Sequence, residues 1–342
     1  MKPELRDGDD HEVIAAAIAG DESAFTTLTR RHRRELHVHC YRMVASFEDA
    51  EDLVQETFLR AWQKRSSFAG RASFRSWLYR IATNASLDHV AKHRRMVSEH
   101  ELQSTESELT LPPDVPWLQP YPDRLLDQVA PREGEPDARL VAKEAIELAY
   151  LVALQLLPPK QRAVLILSDV LDWSAQETAS LLDDSVPAVN GALRRARAAL
   201  RERFQPAPAV SRATADPQER ALLERYVAAT QKGDVESLAR MLRDDVRSSM
   251  PPTPDAWAGR DAVVKSWIEG GFGQPPYDDF RCVIVRANRM PAVACYLRRP
   301  GEDTYDPLTL DVLRIEEGAI VEITTFELAP LLAAFALPAT LP

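Results

Sequence analysis

The sequence is short of the residue types that build disulfide, metal and membrane structures. Only three cysteines occur in 342 residues, Cys40, Cys282 and Cys295, and they are too few and too scattered for a disulfide framework or a zinc cluster. No apolar run approaches the roughly 20 residues that cross a bilayer, and the N-terminus lacks the apolar core of a signal peptide. We therefore expect a cytoplasmic protein with no metal, no cofactor and no membrane partner.

Histidine, glycine and proline are unevenly distributed. All seven histidines lie at or before His100, so the rest of the chain has no imidazole for general acid–base catalysis. Between Glu12 and about Arg95, glycine occurs only at Gly20 and Gly70, and proline is absent. Because these two residue types interrupt helices most strongly, this block predicts nearly continuous helix.

Two proline-rich breaks divide the chain, whose length indicates two or three domains. The first, residues 98–136, is acidic and predicts an extended linker, although its PWLQPYPDRLLD core is too apolar for a pure spacer and is expected to dock on some other surface. The second, residues 205–217, predicts a flexible linker. Residues 137–204 between them predict a second helical block.

Residues 173–203, WSAQETASLLDDSVPAVNGALRRARAALRER, concentrate arginine in a chain whose formal net charge is -10. Ser174 and Glu177 have the spacing of a capping box, which begins one helix. The DDS sequence predicts a short turn, after which Ser185 can cap a second helix whose first turn tolerates Pro187. Two helices joined by a tight turn, the second one basic, are typical of a helix-turn-helix that enters the DNA major groove.

The second helix of this pair separates apolar from basic positions. Its apolar row, at spacings of three and four residues, is Val189, Leu193, Ala196 and Leu200. Its remaining surface carries Asn190, Arg194, Arg195, Arg197 and Arg201. The simpler alternative is a solvated basic face that has no partner.

The first helical block also changes sign along its length. Residues 60–95 carry nine lysines and arginines against one acid, Asp88, with Phe68, Phe74, Trp77 and Tyr79 among them. Basic and aromatic side chains together are typical of single-strand nucleic-acid binding. Immediately upstream, DAEDLVQETFLRAW is acidic, which indicates either ion pairs within the helix or a docking face for a basic partner.

Two long motifs carry a specific resemblance. The first is DAEDLVQETFLRAW…FRSWLYRIATNASLDHVAKHRR, and the second is LPPKQRAVLILSDVLDWSAQETASLLDDSVPAVNGALRRARAAL. In this order they resemble the sigma-70 family of RNA polymerase sigma factors, in its extracytoplasmic function (ECF) group. The resemblance implies two all-α domains, a domain 2 helical bundle at residues 10–97 and a domain 4 helix-turn-helix at residues 137–204. It also implies two partners, promoter DNA and core RNA polymerase, the latter through its β′ clamp helices and β flap.

The resemblance implies a role for individual residues. Those expected to face the β′ clamp helices are Asp49, Asp52, Leu53, Gln55 and Glu56. Those expected to hold the melted −10 strand are Ser67, Phe68, Arg71, Ser73, Arg75, Arg80, Asn84 and Lys92. Those expected at the −35 duplex are Ser185, Ala188, Val189, Asn190, Arg194, Arg195 and Arg197. Core packing is the alternative for Leu53 and Val189, and we prefer it for Phe58, Trp62, Trp77 and Ile81. The linker of residues 98–136 corresponds to the segment that threads toward the polymerase active centre, or else is a plain tether.

Residues 218–335 have a different character. An amphipathic helix pair precedes runs of β-formers around an EEGA turn, which predicts an α+β domain with helices on one face of an antiparallel sheet. The stretch LLERYVAATQKGDVESLARMLRDDVRSSMPPTPDAWAGRDAVVKSWI resembles the SnoaL-like domain of the nuclear-transport-factor-2-like superfamily, a helical cone closed by a curved sheet. The resemblance implies a regulatory domain, with a small-molecule ligand as a candidate partner. As a separate hypothesis, the fused extension and the acidic remainder of a chain with basic DNA faces suggest that this domain packs against domains 2 and 4 and holds them in a geometry unsuited to DNA.

Two other functions stay open at this point. One is a one-component helix-turn-helix regulator with a sensor domain. Such a regulator needs neither the acidic face nor the loop that holds the melted −10 strand. A fused enzyme is the other, because relatives of the cone fold include isomerases and hydrolases. Its candidate polar groups are Asp244, Asp245, Tyr296 and Asp311, while Trp257, Trp267, Phe272, Tyr277 and Phe280 are expected mostly in the core. We expect regulation rather than catalysis.

Overall fold

The computed structural model describes residues 7–70, 72–101, 115–127, 146–203 and 217–342. These residues form two compact units. The first unit contains residues 7–101 and 146–203, and the second contains residues 115–127 and 217–342. Part of the linker expected at 98–136 therefore belongs to the second unit, together with the C-terminal domain.

The first half of the first unit is a helical bundle, as the lack of proline and glycine predicts. Its helices are α1 (Asp7–Ala19), α2 (Glu22–Val44), α3 (Phe47–Gln63) and α4 (Phe74–Glu101), with a 3-10 turn at Arg65–Ser67. Asp21 caps α2 and Ser46 caps α3 with their side-chain oxygens. The helices pack around fully buried side chains that include Leu36, Tyr41, Val54 and Leu78.

The second half of the first unit contains the expected helix-turn-helix. Its helices are α6 (Leu148–Gln155), α7 (Pro159–Leu165), α8 (Ala175–Leu182) and α9 (Val186–Arg203), with a π-helical turn at Ile166–Val170. The capping box of Ser174 and Glu177 begins α8, and Ser185 Oγ accepts from Ala188 N at 3.3 Å at the start of α9. Both helix starts thus agree with the sequence.

The two halves of the first unit contact each other through a few large side chains. The rings of Tyr79 on α4 and Trp173, just before α8, lie 5.5 Å apart. The buried guanidinium of Arg162 donates to the backbone oxygens of Met43 and, at 2.8 Å, Gln155. The −10 helix candidate α4 therefore packs directly against the first helix of the helix-turn-helix, α8.

The second unit is an α+β fold built on one six-stranded sheet. The helices that cover it are α10 (Pro217–Gln231), α11 (Val235–Ala239) and α12 (Arg260–Glu269), with α13 (Leu332–Phe335) near the end of the chain. The strands are β1 (Leu242–Ser249), β2 (Ala256–Ala258), β3 (Phe280–Ala287), β4 (Met290–Leu297), β5 (Asp306–Glu316) and β6 (Ala319–Glu327), in the order β2-β1-β6-β5-β4-β3.

One expectation about this sheet was wrong in part. The sheet is antiparallel except between β1 and β6, which pair parallel. The two strands are separated by most of the domain, so their connection is a crossover and not a hairpin. The EEGA turn is confirmed, since Glu317 and Gly318 have φ values of 50° and 77° and join β5 to β6.

The linker segment 115–127 packs on the second unit through the turn between β3 and β4. Its short helix α5 (Asp123–Leu126) follows Tyr121, whose backbone N–H donates to Asn288 Oδ1 at 2.7 Å and whose carbonyl accepts from Asn288 N at 2.8 Å. The Asp123 carboxylate accepts from Arg289 N at 2.8 Å and from Arg286 Nε at 3.3 Å. The apolar core of the linker thus docks, as its composition indicates.

Candidate nucleic-acid and polymerase interfaces

The acidic face expected to contact polymerase lies along α3. Asp52 and Gln55 are exposed, Asp49 and Glu56 are half-buried, and Leu53 is buried in the helical core. The hydrogen bond from His89 holds the pKa of Asp49 below its usual value. The exposed part of the face is therefore polar and acidic, and Leu53 contributes to packing beneath it.

Ion pairing accounts for only part of this acidic face. Glu56 accepts from Arg60 Nε at 2.7 Å, and Arg60 also contacts Asp88 at 3.1 Å, so the intrahelical alternative holds for Glu56. Leu59 lies on the same side of α3, three residues after Glu56, and 53% of it is exposed. Sequence reasoning missed Leu59; the signal was a leucine at helical spacing from the acidic residues.

The loop before α4 is organised by aromatic packing. Phe68 is half-buried, with its ring 5.8 Å from Phe74 and 5.4 Å from Trp77. Ser67 Oγ donates to Lys64 O at 2.6 Å, and Ser73 Oγ accepts from Ser76 N at 3.0 Å, so both serines also shape the backbone. Arg71 lies outside the described residues.

Along α4 the expected DNA contacts separate into two groups. Arg80, Asn84 and Lys92 are exposed, and the first two are four residues apart on one side of the helix. Arg75 is instead an internal partner, because it donates to Glu35 at 2.7 Å and stacks on the Tyr79 ring. Its partner Glu35 is 40 positions away in sequence, which is why the sequence alone shows Arg75 as one more surface cation.

Around Glu35 the opposing effects on its pKa can be separated. Burial raises the pKa of the carboxyl, but hydrogen bonds from His32 and Arg75 and their charges outweigh burial and lower it. Arg75 thus stabilises a half-buried carboxylate inside the first helical bundle. Its role in this structure is structural support for α4.

The recognition-helix candidate α9 presents the surface that its sequence indicates. Ser185, Ala188 and Asn190 near its start are exposed, as are Arg194, Arg195 and Arg197 further along. Val189 is fully buried and packs with Val164, Ala179 and Ala192, so it supports the helix from the core side and offers no surface to a base. The alternative of core packing therefore describes Val189.

Two local features set this helix-turn-helix apart. The turn has no glycine, and Asp183 adopts the left-handed conformation instead, with φ 54° and ψ 51°. Arg197 makes a paired contact with Asp169, at 3.0 and 2.6 Å, and the hydrogen bond raises the pKa of Arg197. Among the exposed arginines of α9, Arg194 and Arg195 lie nearest to its N-terminal half.

In the second unit, the polar groups considered for catalysis are dispersed. Asp244 pairs with Arg260 at 2.8 Å and Asp245 with Arg243 at 2.5 Å, both at the surface, while Tyr296 Oη donates to Pro338 O at 2.9 Å. Asp311 is the internal acid among these groups: its carboxylate accepts from Tyr226 Oη at 3.1 Å and from Thr325 Oγ1 at 2.8 Å. Burial raises the pKa of Asp311, which these two hydrogen bonds oppose.

Asp311 is 9% exposed and pairs in register with Val293, which belongs to the buried apolar core of the domain together with Leu222 and Leu313. A groove of about 310 Å³ on the surface between α10 and α11 is lined by Arg225, Lys232, Asp234 and Arg240. In the described ranges, no group of three or more histidine, cysteine or acidic side chains could hold a metal ion. The helices of the same ranges include none long and apolar enough to cross a membrane.

Comparisons with known proteins agree with this arrangement. Family models match for Sigma-70 region 2 at residues 28–96, for Sigma-70 region 4 at residues 147–200, and for the SnoaL-like domain at residues 223–323. The ECF RNA polymerase sigma factor SigG of Mycobacterium tuberculosis is 37% identical over 322 residues, which cover 93% of this chain and 85% of SigG. SigW of Bacillus subtilis is 30% identical over 189 residues, covering 54% of this chain and 91% of SigW.

A solved structure extends the agreement to the fold. The crystal structure of the Mycobacterium tuberculosis ECF sigma factor SigJ matches with a TM-score of 0.58 at 22% identity, over 92% of this chain and 99% of SigJ. This similarity covers both the helical domains and the C-terminal α+β domain. The identity to SigG along most of both chains, together with the family models, shows the family: the chain belongs to the extracytoplasmic function group of RNA polymerase sigma factors and carries a C-terminal SnoaL-like domain.

Proposed function

We propose that the described surfaces divide the work of a sigma factor, which binds core RNA polymerase and confers promoter specificity. The α3 face of Asp49, Asp52, Gln55 and Glu56, extended by Leu59, contacts the β′ clamp helices. Exposed acids suit a basic partner, and a protruding leucine in their midst supplies apolar area that a purely solvated face does not need.

The loop before α4 and the exposed residues of α4 itself open the promoter. Flipped bases of the −10 element need a pocket and a phosphate-neutralising rim. The aromatic cluster of Phe68, Phe74 and Trp77 supports the first requirement, and the exposed Arg80, Asn84 and Lys92 support the second. Arg75 acts from behind this surface by holding α4 to α2 through Glu35.

The −35 element is read as duplex by α9. The single observation that carries this proposal is the division of α9 into a buried side, with Val189 and Ala196, and an exposed side, with Asn190 and Arg194. The N-terminal residues Ser185, Ala188 and Asn190 are placed to approach bases, and the later arginines to bind phosphates. The β flap of the polymerase is the expected partner of domain 4.

The SnoaL-like domain modulates activity through the linker. Residues 115–127 lie in the segment that, by the resemblance to sigma factors, threads toward the polymerase active centre, and they are bonded to the β3–β4 turn through Asn288 and Arg289. While they are so held, they are unavailable to the polymerase. The effect on transcription therefore depends on what happens when the protein binds polymerase. If the domain keeps the segment, it inhibits transcription, and if it releases the segment, it does not.

For the C-terminal domain we propose a regulatory role and no catalytic one. Asp311 is only 9% exposed and already accepts hydrogen bonds from Tyr226 and Thr325. The groove between α10 and α11 has three cations, Arg225, Lys232 and Arg240, against one acid, Asp234, and this net positive charge favours a small anion as its ligand. Calorimetric titration with inorganic phosphate, compared between the wild type and Lys232→Ala, tests this directly.

The polymerase interface is tested with a matched pair of substitutions. Leu59→Ser removes an exposed leucine from the proposed interface, whereas Ile268→Ser removes one of similar exposure, 59%, from the SnoaL-like domain. We expect Leu59→Ser to weaken binding to core polymerase roughly tenfold, as removal of a buried interface anchor does, and Ile268→Ser to leave it unchanged. Equal affinities of the two variants would show that this side of α3 is not the contact.

A further inference from the structure

Two of the three cysteines, dispersed in sequence, face each other in the sheet of the SnoaL-like domain. Cys282 on β3 is the register partner of Cys295 on β4, and their Sγ atoms lie 3.3 Å apart. The third, Cys40, is fully buried in α2 of the first unit. The pair was not expected from the sequence, because only the β3–β4 register brings the two thiols together.

The backbone at this pair suits a disulfide. β3 and β4 are joined by the two-residue turn Asn288–Arg289, both with positive φ, so the flanking pair of Ala287 and Met290 exchanges hydrogen bonds. Pairs alternate from there, which makes Cys282 and Cys295 a non-hydrogen-bonded pair. Such pairs have Cα atoms about 4.5 Å apart, within the range that a disulfide spans without backbone movement.

The surroundings give the two thiols different roles. Cys282 is half-buried at the margin of the core, whereas Cys295 is only 2% exposed, behind it. The hydrogen bond with Cys282, burial and the nearby charge of Asp311 together raise the pKa of Cys295 well above its usual value. An oxidant thus reaches Cys282 first and finds Cys295 beside it as the resolving thiol.

We propose that Cys282 and Cys295 form a dithiol site that hydroperoxides oxidise to a disulfide. The Cys282 thiol releases its proton, and the thiolate attacks one peroxide oxygen so that the O–O bond breaks and Cys282 becomes a sulfenic acid. The other oxygen leaves as hydroxide or alkoxide and takes up the released proton to give water or an alcohol. The Cys295 sulfur then attacks the sulfenic sulfur, an S–S bond forms, and hydroxide leaves with the Cys295 proton as water. The two thiols supply the two electrons that reduce the peroxide, and an external dithiol reverses the change.

Cys40 serves as a reference inside the same molecule. Burial raises the pKa of its thiol to about 12. It lies on α2, and Cys282 and Cys295 lie in the sheet of the other unit. Its thiol should therefore remain reduced under conditions that oxidise the pair.

Peptide mapping of the full-length protein tests the proposal. The reduced protein is treated with stoichiometric hydrogen peroxide, alkylated, and digested with trypsin without reductant. We expect the peptides CVIVR (282–286) and MPAVACYLR (290–298) to be joined by a disulfide, in a species two hydrogens lighter than the sum of the two reduced peptides. Dithiothreitol should separate them. Cys40 should be recovered alkylated. Full alkylation of Cys282 and Cys295 after peroxide, or oxidation of Cys40 at the same rate, would overturn the proposal.

Two variants separate the steps. In Cys295→Ser, peroxide should leave Cys282 as a sulfenic acid that dimedone traps, because the resolving thiol is missing. In Cys282→Ser, Cys295 should stay reduced for longer, because the accessible thiol is missing. If dimedone traps Cys295 in the second variant as fast as it traps Cys282 in the first, Cys282 is not the thiol that is oxidised first. The mapping of the wild type tests the proposal even if either variant folds poorly.

Discussion

Arg194 is a single side chain on which the −35 proposal can be tested. It lies on the exposed side of α9, four residues after Asn190, and its guanidinium is well placed for a phosphate. We expect Arg194→Ala to weaken binding to all −35 sequences alike and to reduce the slope of log affinity against log salt by about one. Fluorescence anisotropy at several salt concentrations measures both quantities.

Arg220→Ala is the control for this substitution, because Arg220 is an exposed arginine on α10 of the other unit. It should leave the salt slope unchanged. A slope unchanged in Arg194→Ala as well would remove Arg194 from the DNA contact. A loss confined to one promoter sequence would make it a base contact instead.

Protonation of His39 should make domain 2 sensitive to acid. His39 is fully buried with Nε2 2.9 Å from Thr83 Oγ1. Burial and, to a smaller extent, the charges of Arg42 and Arg75 lower its pKa to about 3, against the opposing charge of Glu35. The unfolded chain, with a pKa near 6.5, binds a proton that the folded state excludes. The free energy of unfolding should thus fall as pH decreases from 6.5 toward 3, by at most about 1.4 kcal/mol per pH unit.

Urea unfolding at pH 7 and pH 5 measures this dependence. The wild type should have the lower midpoint at pH 5, and His39→Gln, which keeps a hydrogen-bonding side chain but does not titrate, should show a smaller difference. The same difference in both proteins would assign the acid sensitivity to other groups.

At the scale of elements, polar contacts attach the linker segment 115–127 to the β3–β4 turn. Asp123 is 5% exposed and bonds to Arg289 and Arg286, whereas Asp127 contacts the same Arg289 from the surface. Asp123→Asn keeps the shape and removes the charge that faces two arginines. We expect it to increase hydrogen exchange of residues 115–127 about tenfold, whereas Asp127→Asn, a surface ion pair, should change it little.

Equal protection of residues 115–127 from exchange in the wild type and Asp123→Asn would show that Asp123 does not hold the segment on the β3–β4 turn. Increased exchange in both variants would mean that surface charge, and not the buried carboxylate, holds the segment. The two aspartates share one partner arginine, so the comparison isolates burial as the variable.

Local chemistry explains why some of these elements could be predicted from the sequence. The capping box at Ser174, the Ser185 cap and the alternation of α9 between apolar and basic positions are encoded within one or two turns of helix. Other features depend on distant partners: Arg75 on Glu35, Asp123 on Arg289, and Cys282 on Cys295. The parallel pairing of β1 with β6 belongs to the same class, since nothing near either strand in sequence specifies it.

At the scale of the first unit, the packing of α4 against α8 has a consequence for promoter binding. The −10 and −35 elements are by name about 25 base pairs apart, which is on the order of 80 Å along duplex DNA. On the proposed assignment, α4 holds the −10 strand and α9 reads the −35 duplex, and two domains packed on each other cannot span that distance. We therefore expect domains 2 and 4 to separate when the protein engages a promoter, with loss of the Arg162 contact to Met43.

Energy transfer between dyes measures this opening. Dyes on Gln63→Cys and Gln176→Cys, both exposed positions, report the separation of domains 2 and 4 when Cys282 and Cys295 are replaced by serine. We expect high transfer in the protein alone and low transfer with core polymerase and promoter DNA. Transfer that stays high in the full complex would rule out the opening.

The account as a whole depends on sigma activity, and run-off transcription measures it most directly. Core polymerase is mixed with the purified protein on a linear template that carries a promoter selected by its own binding. The account predicts a discrete run-off transcript that requires the protein and that falls at least tenfold with Leu59→Ser or Arg194→Ala. A transcript of equal yield without the protein, or none with it although it binds the template, would contradict the account.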